Sequence, residues 1–138
     1  MSAVTLHVYD LSQGLARQLS QPLLGFAVDI IPHTGIVCYG REYFFSGGLQ
    51  SEDKSVFAHT YGLQVHQVLQ LGTTEIPQAV FEDFLREVHP KFTSTTYDIV
   101  SNNCNHFTNE AAEFLLGAGI PWVSRVVSVS ALQVQPGV

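Results

Sequence analysis

At 138 residues, 46% of them apolar and 13% charged, the chain is long enough for one compact domain and has the material for a real core. A net charge of −6 with only 6 Lys and Arg argues against nucleic acid as a partner, since phosphate contacts need cations. No apolar run reaches the ~18–20 residues of a membrane span. No basic-then-apolar opening suggests a signal peptide, and 2 cysteines do not make a secreted disulfide framework. A reducing compartment, cytoplasm or nucleus, is therefore expected.

Val4, Leu6 and Val8 alternate with polar neighbours and predict a half-buried strand. Asp10 and Ser12 can cap a short helix through Leu15 and Leu19, before a loop punctuated by Pro22 and Gly25. Thr34 to Tyr39 reads as a strand, Gly40-Arg41 as a tight turn, and Glu42 to Phe45 as the returning strand of a hairpin. Ser46-Gly47-Gly48 ends it, and residues 49–62 read as a polar surface loop. Gly62 to Leu71 predicts a strand whose alternation slips near Val68, as at a bulge or an edge. Thr73 or Thr74 can cap a helix with Pro77 in its first turn; Ile76, Val80, Phe81, Phe84, Leu85 and Val88 fall at helical spacing, and Pro90 ends it. Lys91 to Tyr97 is irregular. The stretch from Ser101 to Glu110 is a polar loop feeding a helix that runs to Leu116, with Cys104 in its first turn. Trp122 to Val129 predicts a last helix, and residues 133–138 a tail, within one domain over 1–138 whose ordered core covers about 4–132.

Cys104 is the residue with chemistry to offer. Free cysteines are mostly small buried hydrophobes, and Cys38, between Val37 and Tyr39 in an apolar strand, fits that description. Cys104 differs: Asn102, Asn103, Asn105 and His106 around it are too polar to line a core. Helix N-termini favour anions, so a thiol there is expected to have a lowered pKa. A cysteine nucleophile needs a base. His106, two residues on, points to a different helix face. His7 reads as solvent-facing, His59 as a loop residue, His66 as a strand residue and His89 as a helix end. His33, at the start of a strand after Pro32, is the better-placed platform, though the residues alone leave the base open. Cys104 and His106 form a close pair with no second pair to complete a zinc site, and Gly47-Gly48 lacks the Lys-Ser/Thr of a phosphate loop, so neither metal nor cofactor is expected.

Pro32-His33-Thr34-Gly35-Ile36-Val37 with Phe44-Phe45-Ser46-Gly47-Gly48 resembles the histidine block of the PPPDE peptidases, the permuted papain-like enzymes. Tyr97 to Glu110, with its Asn-Cys-Asn-x-Phe-Thr-Asn-Glu core, resembles their cysteine block, and Val8 to Ser12 and Gly117 to Pro121 also match. The resemblance spans roughly residues 4–122 and points toward the desumoylating isopeptidases. It implies an α+β fold in which the cysteine helix packs on an antiparallel sheet carrying the histidine. It implies His33 as general base and Cys104 as nucleophile of a Cys-His dyad, without cofactor.

The implied substrate is the isopeptide bond between a ubiquitin-like modifier, SUMO first and ubiquitin second, and a target lysine. The same dyad could serve a thioesterase that removes S-acyl groups, and a non-catalytic modifier- or partner-binding domain is the third reading. The Cys104 backbone N–H is one oxyanion donor, with Asn103 or Tyr9 as candidates for a second. Gly47 and Gly48 are candidates for a narrow substrate channel, since glycine lets backbones approach closely. The family includes dimers, so a homodimer is one expected state. Residues 49–62 depart from the Gly/Pro-rich loop of the desumoylating members.

Overall fold

The computed structural model describes residues 1–10, 32–54, 65–98 and 101–120. The expected helix after Asp10, the loop positions 55–62, the helix after Trp122 and the tail at 133–138 lie outside the described residues. Five strands form one antiparallel sheet: β1 (Ser2–Asp10), β2 (Pro32–Cys38), β3 (Arg41–Phe45), β4 (Leu49–Asp53) and β5 (Val65–Thr74). Their spatial order is β4-β3-β2-β1-β5. Among the described residues two helices follow, α1 (Gln78–Val88) and α2 (Cys104–Leu116), with a 3₁₀ turn at His89–Lys91 after α1. This is the α+β architecture the sequence predicts.

Val4, Leu6 and Val8 on β1 line up with Ile36 and Cys38 on β2 and with Tyr43 and Phe45 on β3 to form the sheet face that meets the helices. Phe81 and Val88 of α1 and Phe107, Ala111, Ala112 and Leu115 of α2 close this core. Phe84 and Phe114 stack at 4.2 Å between ring centroids and join the two helices, a contact of the kind worth ~0.5–1.5 kcal/mol beyond its buried area. Strand alternation sends Tyr9, His33, Glu42 and Phe44 to the opposite face, and they too are buried.

Four expectations are corrected. The loop expected over 49–62 begins instead with β4, an edge strand pairing Leu49 to Asp53 with Phe45 to Arg41. Its mostly polar sequence suits an edge with little to bury. The hairpin turn is Tyr39-Gly40, not Gly40-Arg41, with φ of 57° and 73°. That is the double positive φ of a type I′ turn, and the Tyr39 hydroxyl fastens it to the Ile76 carbonyl at 2.6 Å. Strand β5 continues to Thr74, with register shifts opposite Val4/Thr5 and Val8/Tyr9, so it is both irregular and an edge. Neither Thr73 nor Thr74 caps α1: Pro77 is its N-cap, while Thr74 Oγ1 accepts from the Ile76 N–H.

Candidate active site

α2 starts at Cys104 with Asn103 as N-cap. The Asn103 side-chain oxygen accepts from the Asn105 N–H at 2.9 Å, and Nδ1 of His106 accepts from the Asn103 N–H at 3.0 Å. The two bonds make a capping box that satisfies helix-end donors in both directions. His106 is thus occupied with capping the start of the helix.

The polar residues around Cys104 were expected to stay out of the core. Two of them are nevertheless buried with it: Asn103, Cys104 and Asn105 are 5%, 7% and 3% exposed, while Asn102 and His106 are half-buried. Buried polar groups are tolerated when they are hydrogen-bonded, and a partner comes from β2. Thr34 Oγ1 donates to Asn105 Oδ1 at 2.7 Å and lies 2.6 Å from Thr108 Oγ1. The backbone N–H groups of Thr34, Cys104 and Asn105 favour the charged form of the Cys104 thiol. The strand residue after His33 therefore touches the second residue of α2 with its side chain.

Burial dominates the titration of both groups. It pushes the Cys104 thiol up, and the three backbone N–H groups offset this only in part. The lowered thiol pKa expected of a helix N-terminus is corrected accordingly, because desolvation of the charged form outweighs the helix end. Burial pushes His33, 7% exposed, down to about 4. At neutral pH Cys104 is a thiol and His33 a neutral imidazole, not a thiolate–imidazolium pair.

The His33 ring sits between aromatic neighbours. Tyr9, its Cα partner across β1 and β2, lies at 6.1 Å with a 46° tilt, and Phe44 at 6.1 Å edge-on. The Tyr9 hydroxyl donates to both carboxylate oxygens of Glu42, at 2.9 and 2.8 Å. Burial, and then the Glu42 charge, push the phenol above its ordinary range, so it stays protonated. Its one proton is turned toward Glu42.

Gly47 and Gly48 lie outside this cluster. Both have positive φ, 69° and 143°, and a Cβ on either would meet nothing within 4 Å. Backbone conformation, not close approach, is what calls for glycine there. Gly48 also bridges to Thr93. A cavity of about 340 Å³ opens nearby, between Tyr43, Leu49, Leu85, Arg86, His89 and Phe107. His89 and His66 are exposed, whereas His7, expected at the solvent face, is half-buried with Nδ1 3.5 Å from Glu42. Cys38 and Cys104 are both free thiols.

Sequence reasoning missed Thr34, Asn105, Thr108 and Glu42. Two of them carried a signal: Asn105 and Thr108 are three apart on the stripe that also holds Cys104, Phe107 and Ala111, where polar residues need partners.

A family model for the "PPPDE putative peptidase domain" matches residues 2–135. Desumoylating isopeptidase 1 of Homo sapiens is 40% identical over 120 residues, covering 86% of this chain and 70% of that protein. The rat protein of the same name is 39% identical over 120 residues, with the same coverage. That of Xenopus laevis is 36% identical over 119 residues, covering 86% of this chain and 69% of that protein.

Proposed function

The chain belongs to the PPPDE peptidase family, and on that premise we propose that it is a cysteine isopeptidase releasing SUMO from target lysines with Cys104 as nucleophile and His33 as base. The observation that carries this reading is the buried bond from Thr34 Oγ1 to Asn105 Oδ1 at 2.7 Å. It ties the residue next to His33 to the residue next to Cys104, from an element seventy-one residues away in the chain. The names of the human, rat and frog relatives supply the substrate class.

In this reading the neutral His33 ring takes the Cys104 proton as the sulfur attacks the isopeptide carbonyl. The carbonyl oxygen becomes an oxyanion beside the start of α2, where the Cys104 N–H donates. Asn103, whose oxygen caps the helix while its amide N–H groups are donors, supplies the second bond; each such donor is worth ~10²–10³ in rate. Collapse breaks the C–N bond, and His33 returns the proton to the departing lysine amine. Water, deprotonated by His33, then hydrolyses the thioester and frees the modifier's C-terminal carboxylate.

The test is turnover of purified protein on SUMO and ubiquitin conjugates beside Cys104→Ser and His33→Ala. SUMO conjugates should be cleaved by the parent, and each variant should be slower by ~10³-fold or more, as expected when a nucleophile or base is lost. Full turnover by both variants contradicts the dyad. Hydrolysis of S-acyl thioesters with no isopeptide cleavage would make the protein a thioesterase, and cleavage of ubiquitin conjugates alone would change the modifier.

A further inference from the structure

The face of the sheet turned away from α2 holds a carboxylate that the chemistry above does not use. Glu42 is 0% exposed. A buried carboxylate is costly unless its oxygens are bonded, and this one reaches across a strand for its partners. Glu42 stands on β3 opposite Val37 of β2, yet its oxygens meet Tyr9 of β1, 2.9 and 2.8 Å away. The crossing is possible because position 35 on β2 is glycine. A Cβ there would lie 2.6 Å from Glu42 Oε2. Gly35 has no positive φ to explain it, so the space it leaves is what its lack of a side chain provides. His7 flanks the same hydroxyl, its Nδ1 3.3 Å from Tyr9 and 3.5 Å from Glu42 Oε1.

Tyr9 is also the cross-strand partner of His33, with the rings 6.1 Å apart. Phe44, two residues past Glu42 on the same face, closes the other side of the imidazole at 6.1 Å. One short piece of β3 therefore fixes His33 from both sides: Phe44 directly, and Glu42 by holding Tyr9.

We infer that Glu42 is a positioning residue for His33, acting through the Tyr9 hydroxyl in the space left by Gly35. The inference rests on the reading of His33 as the base. In this arrangement a carboxylate orients a tyrosine, whose ring then limits the imidazole.

The experiment compares steady-state kinetics on a SUMO–lysine conjugate for the parent, Tyr9→Phe, Glu42→Leu, Glu42→Gln, His33→Ala and the Tyr9→Phe/His33→Ala double variant, each corrected for folded fraction. Tyr9→Phe keeps the ring and removes the hydroxyl with its bonds to Glu42 and His7, so it remains informative if Glu42→Leu fails to fold. Misplacing a catalytic group without touching substrate lowers kcat and spares KM. Tyr9→Phe and Glu42→Leu should each lower kcat about tenfold with KM within about twofold. Glu42→Gln, whose amide oxygen still accepts from Tyr9, should lose less than Glu42→Leu. In the His33→Ala background Tyr9→Phe should cause no further loss. If His33→Ala is inactive while Tyr9→Phe keeps the parent kcat, or raises KM alone, the positioning role is overturned and the base assignment stands. If His33→Ala retains full turnover, the base assignment itself falls.

Discussion

Thr34 Oγ1 donates to Asn105 Oδ1 at 2.7 Å, so the residue after His33 is bonded to the residue after Cys104. The bond is buried and joins β2 to α2 across more than seventy residues of chain. It sets how the helix start sits on the strand, and so where the thiol stands relative to the imidazole. Thr34→Val keeps the shape and leaves the Asn105 side-chain oxygen short of its donor. Leaving buried groups unsatisfied costs about 1–3 kcal/mol. Urea unfolding should show that loss, and kcat on the SUMO conjugate should fall with it; an unchanged midpoint and unchanged kcat would mean that the latch positions nothing.

The depressed pKa of His33 makes stability depend on pH. The unfolded histidine titrates near 6.5, the folded one at about 4. Between those values the unfolded chain binds a proton that the folded chain refuses, so stability falls as pH drops from 6.5 toward 4. The full shift corresponds to roughly 3 kcal/mol. Urea midpoints at pH 7 and pH 4.5 should differ accordingly in the parent, and the difference should shrink in His33→Gln.

Cys104 has the opposite signature. A thiolate–imidazolium pair alkylates rapidly down to acid pH, because the sulfur is already ionised. Here burial holds the proton on sulfur, above the ordinary thiol value of about 8.5. The rate of iodoacetamide labelling at Cys104, followed by mass spectrometry, should keep rising through pH 9 and show no plateau between pH 5 and 8. A plateau in that window would show that the resting site is ionised.

His106 separates proximity in sequence from proximity in function. Its Nδ1 accepts the Asn103 N–H in the capping box of α2. His106→Ala should cost about 0.5–2 kcal/mol, the usual range for a lost cap, while the folded variant still turns over. A folded but inactive His106→Ala would transfer the base role from His33 to its neighbour.

The elements that bury a full apolar stripe were legible from residue order alone. Val4, Leu6 and Val8 alternate cleanly, and α2 carries Phe107, Ala111 and Leu115 at helical spacing. Strand β4 was not legible, because only Leu49 in Leu49–Asp53 is apolar and an edge needs little burial. Gly72, one residue beyond the strand expected to end at Leu71, sits inside β5 with φ of 147° where the strand is irregular. At the site, Cys104 and the cap are local features and could be read in place. The Thr34–Asn105 bond and the Glu42–Tyr9 contact depend on register between distant segments. Glu42 in particular looks from sequence like an outward charge on a hairpin strand; only the juxtaposition with Gly35 and Tyr9 shows that it points into the protein.

The central claim is that His33 and Cys104 work as one unit on an isopeptide bond. Single-turnover cleavage of a SUMO–lysine conjugate by Cys104→Ala, His33→Ala and the double variant tests it most directly. Residues that act together are strongly non-additive. All three proteins should therefore fall to the same residual rate, with the second substitution adding nothing to the first. Rate losses that multiply in the double variant, or a His33→Ala protein that cleaves as fast as the parent, would contradict it.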